Sequence, residues 1–236
     1  MKLFSRKARQ AALEPEDYTP EEDTVLEVRN LTIEYVVDKV VSKAVSNVSF
    51  RVKRGQTVGI VGETGAGKTT TALACMNQVP DPPGIIREGH IYVCGEDILL
   101  KSKRQLEQIR GRDIAMIFQD PMTSLNPLLT VGEQIAESIR LHEHLGNREA
   151  FEKAQDTLEI VGIPRGRAND YPHQFSGGMK QRVVLAIALA CSPDLLIADE
   201  PTSALDVTIQ AQVLEMIADL QQRRNTAMIL ITHDFG

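Results

Sequence analysis

Residues 62 to 69 read GETGAGKT, an instance of G-x-x-x-x-G-K-[ST]. That motif works only between a strand and a helix, so it constrains the fold before any other residue is read. Both flanks are predicted here. Thr57 to Val61 is a continuous apolar run of the kind a strand buried on both faces carries, and a helix follows from Lys68 to about Gln78. Gly62, Gly65 and Gly67 allow the backbone to curl so that successive N–H groups face phosphate oxygens, and the start of the helix adds a favourable dipole. Lys68 would reach the β and γ phosphates, and the Thr69 hydroxyl would ligate magnesium. By composition alone such an octet turns up in about one random chain in a hundred of this length, so with both flanks in place we read it as a nucleotide-binding loop.

A phosphate loop does not separate a kinase from a motor, a GTPase or a transport ATPase. Leu195-Leu196-Ile197-Ala198-Asp199-Glu200 narrows the choice, because it is a hydrophobic strand that ends in two carboxylates. Asp199 falls at the C-terminal edge of the strand, where the magnesium would lie, and Glu200 is placed to polarise an attacking water as general base. Taken alone, two acids after an apolar strand are a solvated strand end. Behind a phosphate loop they read as a catalytic pair.

Around these sites the chain alternates strands and helices. Short β-rich runs occupy Val25 to Val61, a hairpin strand is predicted at His90 to Val93, and a buried strand at Asp113 to Phe118. Helices are predicted at about 104–110, 131–145, 149–161, 178–190 and 208–223, and strands at 195–198 and 228–232. The fold class is α/β, a mostly parallel sheet with crossover helices that holds a helical insertion at about 120–190. Residues 1–24 read as a tail, basic at Lys2, Arg6, Lys7 and Arg9 and then acidic with Pro15 and Pro20. The basic part is either a membrane-surface or targeting segment or a disordered end, the rest a solvated linker, with one ordered domain over 25–236.

Composition excludes several function classes. Among 236 residues, 26 Lys and Arg against 32 Asp and Glu, with no tryptophan and 4% aromatics, supply neither the field nor the stacking platforms of a general nucleic-acid binder. Cys75, Cys94 and Cys191 are odd in number and scattered, which indicates neither a disulfide framework nor a zinc site and suits a reducing compartment. The longest apolar run, Val183 to Cys191, is far shorter than the ~20 residues of a membrane span.

Between the two sites lies Phe175-Ser176-Gly177-Gly178-Met179-Lys180-Gln181-Arg182. With the loop upstream and the acidic strand downstream, this element resembles the signature of the nucleotide-binding subunits of ABC transporters. The resemblance runs from about Leu26 to His233. FQDPMTSLNPLLTVGEQIAE, YPHQFSGGMKQRV and LACSPDLLIADEPTSALDVTIQAQVL are similar to the ATPases of dipeptide, oligopeptide and nickel importers. It implies a P-loop NTPase of ABC ATPase type, with an N-terminal antiparallel β subdomain and an inserted helical subdomain, and ATP and Mg2+ as ligands.

The resemblance also assigns roles. Gly62, Glu63, Thr64, Gly65, Ala66, Gly67, Lys68, Thr69 and Thr70 would hold the nucleotide, with Thr69, Gln119 and Asp199 at the magnesium. Gln119 looks like the Q-loop glutamine and Glu200 the general base, and His233 is similar to the switch histidine at the γ-phosphate. Tyr35 is placed to stack on adenine, or simply to pack in its strand. Ser176, Gly177 and Gly178 would meet the nucleotide of a second subunit, and Asp206 closes a D-loop, Ser203 to Asp206. The helix from Val131 would help receive a permease, or close a local core. His90, His142, His144 and His173 read as solvated.

The implied assembly pairs a second ATPase subunit, identical or related, with two membrane permeases. An extracytoplasmic solute-binding protein acts indirectly, nucleic acid is not a partner, and the site of action is the cytoplasmic face of the membrane. Phe175 and Met179 stand where the broad family often has leucine and glutamine. The sequence stops three residues after His233, whereas family members continue, so it reads as C-terminally truncated, with His233 on an unsupported strand. A catalytically impaired binding module is therefore the alternative to an active ATPase. A soluble ABC-type ATPase of DNA repair or translation is a third reading, disfavoured by the acidic balance.

Overall fold

The computed structural model describes residues 18–118, 124–201 and 207–233. Its first sheet is antiparallel, in the order β2-β1-β4-β5, built from β1 (Thr24–Val37), β2 (Val40–Lys53), β4 (Gly84–Val93) and β5 (Glu96–Asp97). The second is parallel, in the order β3-β8-β7-β6, from β3 (Thr57–Val61), β6 (Ile114–Ile117), β7 (Leu195–Asp199) and β8 (Ala227–Thr232). The described α-helices are α1 (Lys68–Cys75), α2 (Lys103–Ile109), α3 (Val131–Glu143), α4 (Asn147–Ile160), α5 (Gly177–Leu189) and α6 (Val207–Arg224).

Local sequence explains the first sheet. Asp38 and Lys39 both take positive φ, 49° and 68°, which is the two-residue turn whose twist matches a tight hairpin. Val37 therefore pairs with Val40, and Tyr35 with Ser42. In β1 the fully buried positions run Leu26 and Val28, then Leu31 and Ile33. The change from even to odd would turn the second pair outward, but the register shifts between Val28 and Leu31, so both pairs face one core.

The parallel sheet has a core on each side, as alternation along its strands requires. Ile114, Met116, Leu195, Ile197, Ile229 and Ile231 join the antiparallel sheet and α1 in one cluster. Ala115, Ile117, Leu196 and Met228 join α3, α4, α5 and α6 in the other. The inserted helices thus form a third layer. Strand β3 departs from expectation: it lies at the sheet edge, where its described pairing is with β8 alone. Val58 and Ile60 are half-buried against the first cluster, whereas Thr57, Gly59 and Val61 are exposed. An apolar run records composition, and the number of neighbours is set by topology.

The segment before β1 is also more structured than a solvated linker. The ring of Tyr18 stacks on Tyr92 with centroids 3.7 Å apart, and the Arg29 guanidinium lies 4.8 Å from its centroid. Tyr18 Oη donates to Glu27 Oε2 at 3.1 Å, and Arg29 Nε donates to Glu27 Oε1 at 2.9 Å, so the buried Glu27 carboxylate is paired in place. Residues 1–17 lie outside the described residues. His90 is not solvated either, since its Nδ1 is 2.7 Å from Asp97 Oδ2 and both side chains are largely covered. His142 is half-buried, and burial, with Arg112 nearby, holds its pKa below the usual imidazole value. His144 and His173 are exposed as expected.

Burial, then the hydrogen bond to Glu27, pushes the Tyr18 phenol up to about 12. A phenol with a raised folded pKa keeps its proton more tightly folded than unfolded, so stability declines as pH rises from about 10 toward 12. We expect Tyr18→Phe to remove that alkaline decline. Tyr18→Ala should cost about 1–2 kcal/mol through the lost stack and cation–π contact. That loss corresponds to a fall of about 2–8 °C in thermal melting; unchanged melting in the alanine variant would mean that the segment is not docked.

Candidate nucleotide site

Three strand ends converge because of the ladder. Val61 pairs with Thr232, and Ile231 pairs with both Ile60 and Asp199. The C-terminal ends of β3, β8 and β7 therefore lie side by side, at the rim where ligands of open parallel sheets bind. The loop after β3, the acids after β7 and His233 after β8 are delivered to one place by backbone pairing alone.

The loop curls through two glycines rather than three. Gly65 and Gly67 have φ of 85° and 86°, whereas Gly62 has no left-handed backbone. At Gly67 the requirement is double, because a Cβ there would stand 2.2 Å from the Ala44 carbonyl oxygen of β2. Helix α1 opens at this residue with no side chain capping its first turn, which leaves its amide end to a bound anion. Lys68 is buried, and its Nζ donates to the carbonyl oxygens of Gly62 at 2.6 Å and Glu63 at 3.0 Å. Ala66 N–H donates to Glu63 O at 3.1 Å and Thr71 Oγ1 to Gly67 O at 2.9 Å, closing the turn on both sides.

Asp199 is 3% exposed at the end of β7. Burial raises its pKa above the usual carboxylate value, and the neighbouring Glu200 adds to the rise. The hydrogen bond from Thr69 and the charge of Lys68 act against it. Thr69 and Asp199, both expected at a magnesium, are thus brought into contact.

Glu200 carries a left-handed backbone, φ 48°, which costs a non-glycine residue about 1–3 kcal/mol. Its N–H donates to Ile231 O at 3.0 Å, extending the ladder one step beyond β7. Its Oε1 lies 3.1 Å from His233 Nδ1, with the glutamate side chain mostly covered and the histidine more than half exposed. The pair expected to act on the γ-phosphate is therefore assembled within one chain.

Tyr35, Thr64, Gly65, Gly67, Lys68, Thr69, Thr70, Glu200 and His233 share one cleft with Ser42, Lys43 and Ala44 of β2. Tyr35 Oη is 3.4 Å from Thr70 Oγ1, so the ring leans over the loop. The β2 residues were not singled out from sequence, although the Asp38-Lys39 turn, once recognised, sets Ser42 opposite Tyr35. Ser176, Gly177 and Gly178 are not in this wall. They open α5 elsewhere, with Ser176 Oγ accepting from Met179 N–H at 3.4 Å, Gly177 exposed and Gly178 buried. Gln119 and the D-loop through Asp206 lie outside the described residues.

Residues 45–203 match the family described as ABC transporter. The chain is 50% identical over 219 residues to a probable peptide ABC transporter ATP-binding protein of Sinorhizobium fredii, covering 92% of this chain and 65% of that protein. It is 50% identical over 214 residues to an oligopeptide transport ATP-binding protein of Bacillus subtilis, covering 90% of this chain and 60% of that one. The chain thus spans less than two thirds of the length of these curated relatives. A solved ATP-binding cassette, in a dimeric post-hydrolysis state bound to ADP and Pi, superposes with a TM-score of 0.78 at 28% identity, covering 89% of this chain and 88% of that one.

Gly67→Ala tests the loop geometry. The added methyl meets the Ala44 carbonyl and the left-handed backbone is lost, so we expect lower thermal stability by about 1–3 kcal/mol. Binding of a fluorescent ATP analogue should disappear with it. Wild-type affinity in a folded Gly67→Ala variant would contradict the role of this close approach.

Proposed function

The chain belongs to the ABC transporter family, and from that premise we propose that it is an ATP-hydrolysing subunit that energises import of peptides, or of nickel or a related small solute. The observation that carries the proposal is the single cleft in which Lys68, Thr69, Glu200 and His233 stand together with Tyr35. The names of the two bacterial relatives support peptides as the solute class.

Each residue has a task that its surroundings allow. Lys68 exchanges its two carbonyl acceptors for β and γ phosphate oxygens, which are charged and therefore stronger partners. The loop amides and the open end of α1 hold the remaining phosphate charge. Tyr35 offers its ring to the adenine. Glu200 takes the proton of the attacking water, and His233 fixes the carboxylate and reaches the γ-phosphate. Thr69 and Asp199 offer an all-oxygen pair whose buried carboxylate is disfavoured as a bare charge, which suits a hard divalent cation. Magnesium held there would offset charge on the transferring phosphoryl group. Gln119 would complete its ligands.

The position of Ser176, Gly177 and Gly178 outside the cleft wall supports a head-to-tail pair in which they close over the partner's nucleotide. The second ATPase subunit is identical or closely related, and Asp206 would lie at the shared interface. Closure and reopening of the pair would then drive two membrane permeases supplied by an extracytoplasmic solute-binding protein. No described helix is long and apolar enough to cross a membrane. We place the subunit at the cytoplasmic face, held by the permeases.

Magnesium-dependent ATP hydrolysis measured against the concentration of the chain tests this directly, and we expect turnover to rise more than linearly. Nucleotide binding with no turnover at any concentration would favour the impaired module instead. Glu200→Gln should keep ATP binding while hydrolysis falls by about 10²–10⁴-fold, and near-normal turnover would remove Glu200 as the base. Lys68→Ala should weaken ATP binding by about tenfold or more through lost charge-assisted bonds. An unchanged dissociation constant would contradict the loop assignment.

A further inference from the structure

Gln181, five residues after Ser176, is 2% exposed, and its Nε2 donates to the carbonyl oxygen of Pro201. A carbonyl only accepts, so the amide NH2 is the group facing it. Pro201 is itself buried and directly follows Glu200. Glu200 therefore sits between two anchors: its own N–H is bonded to Ile231 of β8, and the next carbonyl is bonded to α5. A left-handed non-glycine residue persists only where its surroundings over-determine it, and φ here is 48°. The backbone that carries the Glu200 side chain is thus held on one side by α5. That same helix opens at Ser176, about 7.5 Å away along its axis at 1.5 Å per residue.

We infer that Gln181 is a positioning residue that ties the start of α5 to Glu200 within one protomer. The inference rests on the proposed ATPase dimer. There, Ser176 of one protomer meets the nucleotide in the partner's cleft, while Glu200 of the same protomer serves its own. The Gln181–Pro201 bond therefore joins the two clefts through a single rigid helix. Occupation of one cleft, by seating α5, sets the base of the other.

The test uses the full chain with Gln181→Ala and with Gln181→Met, which keeps the length and burial of the side chain but has no donor. Turnover against ATP concentration, nucleotide dissociation constants and thermal melting are measured for each. We expect both variants to lose about tenfold or more in kcat, with dissociation constants within about twofold of wild type. The Hill coefficient for ATP should fall from above one to one. A role confined to packing would leave Gln181→Met near wild type in kcat and Hill coefficient, and that result overturns the inference. So does a rise in KM at unchanged kcat. If the alanine variant does not fold, the methionine variant decides. A wild-type chain that never hydrolyses ATP would bring down the ATPase reading and the inference with it, whereas active wild type beside an unaffected Gln181→Met brings down the inference alone.

Discussion

The parallel ladder between β7 and β8 is the contact on which the site depends. It sets Asp199 beside Ile231, continues through the Glu200 N–H, and leaves His233 two residues further along the neighbouring strand. Because side chains alternate at every residue, a slip of one position would turn Asp199 away from Thr69 and separate Glu200 from His233. The slip is opposed by burial on both faces: Ile197, Ile229 and Ile231 enter one core and Leu196 and Met228 the other. Two cores therefore fix one register, and the register fixes the chemistry.

Strand β8 is also the partner of β3, so the phosphate loop is referred to the same reference line. This explains how the loop meets Asp199 through Thr69 at its helical end. Its other fixed point is β2, whose Ala44 carbonyl approaches Gly67 more closely than any side chain would permit. The antiparallel sheet thus contributes more than a wall to the cleft. It presses on the loop at the residue where α1 begins, and Tyr35 from β1 leans on Thr70 one turn later.

Much of this was legible in the residues. GETGAGKT carries its own geometry, the apolar strand before Asp199 and Glu200 marks its own end, and helix boundaries at α3, α5 and α6 fall within two residues of expectation. What local sequence does not encode is who lies alongside. Thr57 to Val61 has the composition of a central strand and sits at the edge of the described sheet. Tyr18 follows a run of prolines and acids, and nothing local announces that Tyr92 and Arg29 await it. His90 needs Asp97 from the next strand to be read as covered. Gly62 shares a motif with Gly65 and Gly67 yet lacks their backbone, because a motif records residue type and not which φ is used. The contact of Gln181 with Pro201 spans twenty positions and depends on how α5 packs against the parallel sheet.

Within the cleft Lys68 donates to its own loop, Glu200 meets His233, and Thr69 bonds Asp199. A triphosphate must therefore compete with existing partners, and the net gain per exchanged bond is far smaller than its gross strength. Tight, productive binding is then favoured by a further source of free energy. On the proposed reading, that source is the second protomer, whose Ser176 helix start supplies donors that one chain holds outside its own cleft wall. An isologous pair makes this contact twice, so each nucleotide stabilises the closed pair by its differential affinity for it. Loss of the γ-phosphate would then remove the group both protomers hold, and the balance would return to the internal partners. On the same reading, internal compensation, which weakens binding to a single chain, would let the pair reopen.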